Sequence, residues 1–305
     1  MSNLSENQKD YVVVIGGANV DMLGIPFVSL SKHDSAPGIL KYSSGGVGRN
    51  ITENLARLGV NVSFISAFGN DSNGERLKSE LNALGVDLSY SLTTGDENTS
   101  TYICLNDEHG EMQYALSDMR ILDRLDEEFF KDKLDFINKA KCVVLDTNLE
   151  NILGYLVQKI SAPIFLDTVS CQKTEKCKAH VKNLFFVKPN IIEAGKLVDL
   201  DIKSREDVQR AGQKILSLGN KNVVISMGEK GVYFVNESHS GFLKSQSVDV
   251  VSTTGAGDAF MAAVIYGYVN SFSFEDSVKL GLEASKVTVS SQDTVSKNIK
   301  KIIGR

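Results

Sequence analysis

Ser252-Thr253-Thr254-Gly255-Ala256-Gly257-Asp258 runs straight into the apolar segment Ala259 to Val269. Small residues let a backbone turn approach a ligand closely, and the first turn of the following helix aims unpaired N–H groups back at that turn. Such a nest holds anions, phosphate above all. Asp258 within it would repel a phosphate that was merely bound. Its position makes sense if a hydroxyl lies between them. Asp258 then takes the hydroxyl's proton while Gly255, Ala256 and Gly257 hold the charge building on a transferring phosphoryl group. The competing structural reading is a small-residue start to a buried helix.

Strands alternating with amphipathic helices would position these groups, the pattern of a mostly parallel sheet covered on both faces. Tyr11-Val12-Val13-Val14-Ile15 is a continuous apolar run, as expected of a central buried strand. Val47, Ile51, Leu55 and Leu58 recur at helical spacing, with Gly59 as the stop. Val62 to Ala67 reads as a second strand, followed later by Cys142 to Leu145, Ile164 to Leu166, Leu184 to Val187 and Val223 to Ile225. Helix starts are expected near Ser204 with Asp207 and near Ser273 with Asp276, both resembling capping boxes. Val208, Ala211 and Ile215 give the first of these helices its core face.

Polar residues follow each strand: Asn19 and Asp21, then Asp146 and Asn148, Asp167, then Lys188, Asn190 and Glu193, then Ser226 and Gly228. Ligands of open parallel sheets bind outside the carboxyl ends of the strands, so this repetition predicts a cleft there. Two segments break the alternation. Ile25 to Ser44 contains Pro26, Pro37 and Gly38, and Thr99 to Leu116 reads as a β-hairpin turning at Asp107 to Gly110. Together they are expected to form a small sheet over the cleft, a lid that excludes water competing for the phosphoryl group.

The chain has 305 residues, enough for one large domain or two modest ones, and its 42% hydrophobic and 23% charged residues fit a globular protein. A net charge of −5 argues against nucleic acid or an anionic membrane as partner. No apolar run approaches the ~18–20 residues of a membrane span. The polar tail Ser2 to Asp10 lacks the pattern of a secretory signal. Cys104, Cys142, Cys171 and Cys177 have no metal-ligand or C-x-x-C spacing, and free thiols in a reducing cytoplasm are expected. His33, His109, His180 and His239 are equally scattered, so no metal role is assigned to them.

Beside these readings, the chain resembles the ribokinase and phosphofructokinase-B superfamily of sugar and nucleoside kinases over nearly its whole length. The resemblance rests on Gly16-Gly17-Ala18-Asn19-Val20-Asp21, Ser44-Gly45-Gly46-Val47-Gly48-Arg49-Asn50, Asn190-Ile191-Ile192-Glu193 and Thr254-Gly255-Ala256-Gly257-Asp258, in that order. It implies a ribokinase-like α/β fold: a doubly wound, mostly parallel sheet with helices on both faces and a small β-sheet lid. Residues 1–24 would hold the first core strand and the entry to the lid. Lid segments at 25–44 and 99–118 would flank the core at 45–98, and 119–305 would complete the core with the ATP site. ATP and Mg²⁺ are the implied co-substrates, with a monovalent cation such as K⁺ as a further ligand, and a primary hydroxyl of a furanose-type sugar is the implied acceptor. Homodimers formed through the lids are also implied.

Carried over by this resemblance, Asp258 is the catalytic base and Gly255, Ala256 and Gly257 the anion hole. Asn19, Asp21, Gly45, Gly46 and Asn50 face the sugar: a carboxylate takes two neighbouring hydroxyls, and Gly46 leaves room for the ring. Asn190 and Glu193 organise Mg²⁺ and phosphate, Glu193 through water. Ser226, Gly228, Gly231 and Thr254 lie on the nucleotide side. Arg49 is either a phosphate or charge contact or a solvated helix-start arginine.

Within the superfamily the chain is similar to the pseudouridine kinases, on Asp34-Ser35-Ala36-Pro37-Gly38, Ser117-Asp118-Met119, Asp167-Thr168-Val169-Ser170 with Lys173, and Thr294-Val295-Ser296. It departs from them at Ala36, where Asn is usual, and at Thr168, where Pro is usual, which bears on base recognition and not on catalysis. Ser35, Thr101, Asp118, Asn148 and Lys173 are the candidates for reading the base. The alternatives are a kinase for ribose or an ordinary nucleoside, and a non-catalytic nucleoside sensor on the same scaffold; an intact Asp258 in its glycine nest speaks against the sensor. A dinucleotide dehydrogenase is set aside, because Gly16-Gly17-Ala18-Asn19 lacks the spacing of the Rossmann fingerprint.

Overall fold

Alternate side chains of Val12-Val13-Val14-Ile15 enter two different cores. Val13 and Ile15 belong to one apolar cluster, with Leu153 and Leu156, while Val12 and Val14 belong to the other, with Ile51 and Leu55. A strand buried on both faces needs apolar residues at every position, which is why the run is continuous. The computed structural model describes residues 10–304, so of the polar tail Ser2 to Asp10 only Asp10 lies within it.

The first part of the chain forms β1 (Val12–Ile15), β2 (Asn19–Pro26), β3 (Gly38–Gly45), α1 (Val47–Arg57), β4 (Val62–Ile65) and β5 (Ala67–Gly69). It continues with α2 (Ser72–Asn82), β6 (Leu92–Thr94), β7 (Thr101–Asn106), β8 (Met112–Asp118), α3 (Glu127–Lys131) and α4 (Leu134–Asn138). Then come β9 (Cys142–Asp146), α5 (Leu153–Lys159), β10 (Ile164–Asp167), α6 (Cys171–Cys177), β11 (Phe186–Val187) and α7 (Ile191–Val198). The last elements are α8 (Arg205–Ser217), β12 (Asn222–Ser226), β13 (Val232–Asn236), β14 (Ser240–Leu243), α9 (Ala256–Val269) and α10 (Phe274–Val289).

The main sheet has the order β14-β13-β12-β11-β10-β9-β1-β4 and is parallel from β12 to β4. Its helices cover both faces, so the fold is the doubly wound α/β arrangement expected from the alternation. Parallel register brings the ends Ile15 and Leu145, then Asp146 and Asp167, to one edge of the sheet. α9 is buried almost all round from Asp258 to Ile265 because it lies between the sheet, α1 and α10. The Ser204 capping box forms in full, with Asp207 reaching back to the Ser204 N–H. At Ser273 the hydroxyl accepts from the Asp276 N–H and donates to the Asp276 carboxylate.

Two strand expectations change in the main sheet, and two further strands join it. The segment from Val62 splits after Ile65, because the Ser66 carbonyl accepts from Leu92 and Ala67–Gly69 then pairs with β6. The run at Leu184 contributes only Phe186–Val187, since the Leu184 N–H is taken by the Asn220 side chain at 3.0 Å. β13 and β14 extend the sheet antiparallel beyond β12. The smaller sheet has the order β3-β2-β7-β8. It starts at Asn19 rather than Ile25, because β2 pairs along its length with β3 on one edge and β7 on the other.

Candidate active site

Asp258 sits in the first turn of α9, with 8% of its surface exposed. Its neighbours come from the ends of other elements: Asn50 from α1, Asp146 at the end of β9, Asp167 at the end of β10 and Lys188 after β11. Asn50 donates from Nδ2 to Asp258 Oδ2 at 2.8 Å. Burial and the Asp167 carboxylate push the Asp258 pKa up to about 7, while Asn50 and Lys188 hold it down. A carboxyl poised there can accept a proton near neutral pH and lies at the value favouring general-base work. The nest in front of it depends on Gly255, whose φ of 78° is left-handed. A side chain there would also meet the Thr294 carbonyl oxygen at 2.0 Å. Helical geometry leaves the N–H groups of Gly257 and Asp258 free to face an anion.

At the start of the smaller sheet, Asn19 and Asp21 lie on β2, and the Asn19 amide donates to Asp21 Oδ1 at 2.6 Å. Burial raises the Asp21 pKa against the pull of Asn19 and Arg49. Gly45 pairs with Asn19 at the last step of the β2–β3 ladder, and Gly46 caps α1. Gly46 has a reason beyond room for a ring: its φ is 98°, and a side chain would meet the Gly17 carbonyl oxygen at 2.4 Å. Arg49 is no solvated arginine. It is 4% exposed and pairs with Glu53. The structure therefore gathers Asn19, Asp21, Gly45, Gly46, Asn50 and Asp258 around the start of α1.

Asp146, one of the polar residues at the strand ends and without a role in the expected site, holds this arrangement together. Its Oδ2 accepts from the N–H groups of Gly17 and Gly48, each at 2.9 Å, and its Oδ1 accepts from the Asn148 N–H. The turn after β1 and the start of α1 are thus tied to the end of β9. An aspartate at the end of a buried parallel strand was the available signal.

The base-reading candidates separate. The Lys173 ammonium donates to Asn148 Oδ1, so these two form one polar pair beside the Gly17 turn. Thr101 pairs with Val20 and stands opposite Asp118, and its hydroxyl donates to the Thr99 carbonyl at 3.0 Å. Asp118 is held by Arg120 at 2.8 Å and is substantially exposed. Ser35 lies in the exposed loop beyond the Pro26–Gly38 end of the ladder, the end opposite Asn19 and Gly45, and is not brought to the site.

A cavity of about 610 Å³ opens on the other side of the nest, lined among others by Lys188, Ser226, Gly228, Gly231, Gly257 and Phe260. Thr254 is exposed at its rim, next to Thr253, which lines it. Asn190 does not line it. Asn190 is the N-cap of α7, in a full capping box with Glu193. Glu193 Oε2 accepts from the Asn190 N–H at 2.9 Å and from the Thr168 hydroxyl at 2.7 Å.

Lys188 escaped assignment to a role. It is 7% exposed, and its Nζ lies 3.3 Å from Asp167 Oδ2 and 3.3 Å from where a side chain on Gly257 would begin. Burial alone would lower its pKa, but Asp167, Glu193 and Asp258 outweigh it and hold the ammonium above its usual value. A fixed cation therefore borders the nest. The signal was a lysine directly after an apolar strand run and two residues before Asn190.

Among the described residues, no cluster of three or more His, Cys, Asp or Glu side chains could hold a metal ion. Among the described residues, no helix is long and apolar enough to cross a membrane.

The chain is similar to known kinases throughout. It is 37% identical to pseudouridine kinase of Escherichia coli K12, over 94% of this chain and 93% of that one. A putative sugar kinase from Clostridium perfringens superimposes with a TM-score of 0.88 at 34% identity, covering 97% of this chain and 95% of that one. Arabidopsis thaliana ribokinase, solved with ribose and ATP, has a TM-score of 0.85 at 20% identity and covers 97% of this chain and 99% of its own, a likeness of fold. Residues 9–301 match the model of the pfkB family carbohydrate kinases, and the chain belongs to that family.

Proposed function

We propose that this chain is an ATP-dependent pseudouridine kinase, transferring the γ-phosphoryl group to the ribose 5′-hydroxyl and releasing ADP. The observation that carries the transfer is Asp258, buried at the mouth of the glycine nest, hydrogen-bonded to Asn50 and poised near neutrality. Asp21 and Asn19 take the ribose hydroxyls, and the 5′-hydroxyl then faces Asp258. That carboxylate accepts the proton as the oxygen attacks. Gly255, Ala256, Gly257 and Lys188 face the charge on the transferring group. The nucleotide fills the cavity beside Ser226, Gly228 and Gly231, with Thr254 at the rim. Bound Mg²⁺ would neutralise phosphate charge, and Glu193 would hold it through water.

The base is the finer part of the reading. Pseudouridine joins uracil to ribose through carbon and keeps a ring N–H that uridine lacks. The Lys173–Asn148 pair, with Thr101 and Asp118 on the smaller sheet, supplies polar groups at the edge where the base would lie. A site built for that N–H leaves an acceptor unpaired with uridine. Initial rates of ADP formation with pseudouridine, uridine, ribose and fructose test it. Pseudouridine is expected to have the highest kcat/KM; equal values with uridine, or faster turnover of ribose, would move the chain to the broader nucleoside or sugar kinases.

Glu193→Gln is expected to raise the Mg²⁺ concentration giving half-maximal rate, read from a Mg²⁺ titration at saturating substrates. An unchanged titration would leave Glu193 with its capping box alone.

The smaller sheet is proposed to close as a lid and to pair with a second copy. Leu40, Tyr42, Ile103, Leu105, Met112, Tyr114 and Leu116 are exposed on it, an apolar face unusual for a monomer. Hydrogen exchange of Asn19–Asp118 backbone in that sheet should slow on adding pseudouridine, more than in β9 or β10. Light scattering should give twice the chain mass at micromolar concentration; a monomer there would remove the dimer and leave the chemistry intact.

A further inference from the structure

Asn50 can serve Asp258 only with its amide one way round. A side-chain amide has one donor end and one acceptor end of nearly the same shape, so something must choose between them. Turned over, Asn50 would put Oδ1 against the Asp258 carboxylate, oxygen against oxygen. Arg49 makes the choice: its Nε donates to Asn50 Oδ1 at 3.3 Å, while Asn50 Nδ2 donates to Asp258 at 2.8 Å. An arginine cannot accept a hydrogen bond, so the donor end of the amide is excluded from its side.

Arg49 is itself held. Its backbone N–H donates to the Gly17 carbonyl at 3.1 Å, and its guanidinium pairs with Glu53. Glu53 is anchored in turn by Arg57, one helical turn further on, at 2.7 Å. With its side chain 5% exposed, Arg49 is a buried cation whose charge faces Asp258 and Asp21 as well as Glu53 and Glu80. Nothing in the transfer chemistry requires it to touch a substrate.

We propose that Arg49 is a positioning residue that fixes the polarity of the Asn50 amide and, through it, the orientation of the Asp258 carboxylate. This rests on Asp258 being the base. The charged groups around that carboxylate are Asp167 and Asp146, which disfavour its ionised form, and Lys188 and Arg49, which favour it. Removing Arg49 takes away one favourable charge and frees the amide to turn, and both changes act in the same direction.

The test is the pH profile of kcat. Arg49→Gln should move the acid limb to higher pH by about one unit, the low end of what a neighbouring charge does. Below the limb this makes turnover about ten-fold lower than wild type. Arg49→Lys, which keeps a donor and a charge, should return most of the limb to its wild-type position. Asn50→Leu should move the limb the same way, and Arg49→Gln added to Asn50→Leu should move it less than Arg49→Gln does alone. Should Arg49→Gln not fold, Asn50→Leu carries the test by breaking the same link one residue later. A raised KM for nucleoside with an unmoved limb would make Arg49 a substrate contact, and a lowered melting temperature with an unmoved limb would make it structural; either overturns the proposal. Wild type and Asp258→Asn in the same assay separate the two claims. If the wild-type limb is present and lost in Asp258→Asn, the base stands whatever Arg49 does.

Discussion

Asp258→Asn is expected to lower turnover by about 10²–10⁴-fold, the range of a lost general base, while nucleoside binding should change far less because the side chain keeps its shape. Stopped assays of ADP formation at saturating substrates read the first quantity and calorimetric titration the second. The pH dependence follows from the same carboxylate. Its pKa is raised to about 7 by burial and by Asp167, so below that value the group is protonated and cannot take the hydroxyl's proton. Wild-type kcat should therefore fall about ten-fold per unit as pH drops below the limb and level off above it, and the variant's residual rate should be flat there. The sign for stability is opposite. A carboxyl whose folded pKa lies above its unfolded value favours the folded state at low pH, and that contribution is lost as pH rises through the folded pKa. At pH 8 the variant, which buries no charge at this position, should melt above wild type. Near wild-type turnover in Asp258→Asn would sink the assignment.

Lys188→Met should be the second severe change, lowering turnover by about 10²–10³-fold, as when one fixed donor to developing charge is removed. The ammonium borders the nest at Gly257 and is held by Asp167. Removing it also leaves Asp167 buried without its cation, so the variant should be less stable by about 3–5 kcal/mol, the usual cost of breaking a buried pair. Rates are therefore compared well below the variant's melting temperature. If Lys188 only neutralised Asp167, the double variant Lys188→Met, Asp167→Asn would regain wild-type turnover. Regained stability without regained turnover is expected.

Continuous apolar runs made β1, β9, β10 and β12 legible, because a strand covered on both faces leaves little choice of residue. The antiparallel edge was not. Val232-Tyr233-Phe234-Val235 is apolar enough, but its partner Ser240-Gly241-Phe242-Leu243 has few strand formers and supplies no second arm to a reader of periodicity. β2 was hidden for a related reason: Asp21 and Gly24 interrupt its pattern, and pairing on both edges stabilises it where local preference does not.

The nest at Gly255 to Asp258 could be read because its parts are adjacent in the chain. Partners brought together by the fold could not. Asn50 and Asp258 are 208 residues apart, and only the parallel sheet and the packing of α1 on α9 bring them within a hydrogen bond. Arg49 shows the cost most plainly. An arginine at a helix start is usually solvated, and its burial is sustained by Glu53 one turn on and by carboxylates from Asp21 and Asp258. Asn190 and Glu193 were legible as a motif, yet the capping box they form is a use of the same atoms that spacing alone does not separate from metal binding.

Competition between equal concentrations of pseudouridine and uridine, with ATP limiting, tests the central claim most directly. The isomeric products have the same mass, so ³¹P and ¹H NMR after chromatography would identify which nucleoside carries the new phosphate and on which hydroxyl. The expected product is pseudouridine 5′-phosphate in clear excess, formed with one ADP per phosphate and absent in Asp258→Asn. Equal amounts of the two 5′-phosphates, or ADP released with neither nucleoside phosphorylated, would contradict it.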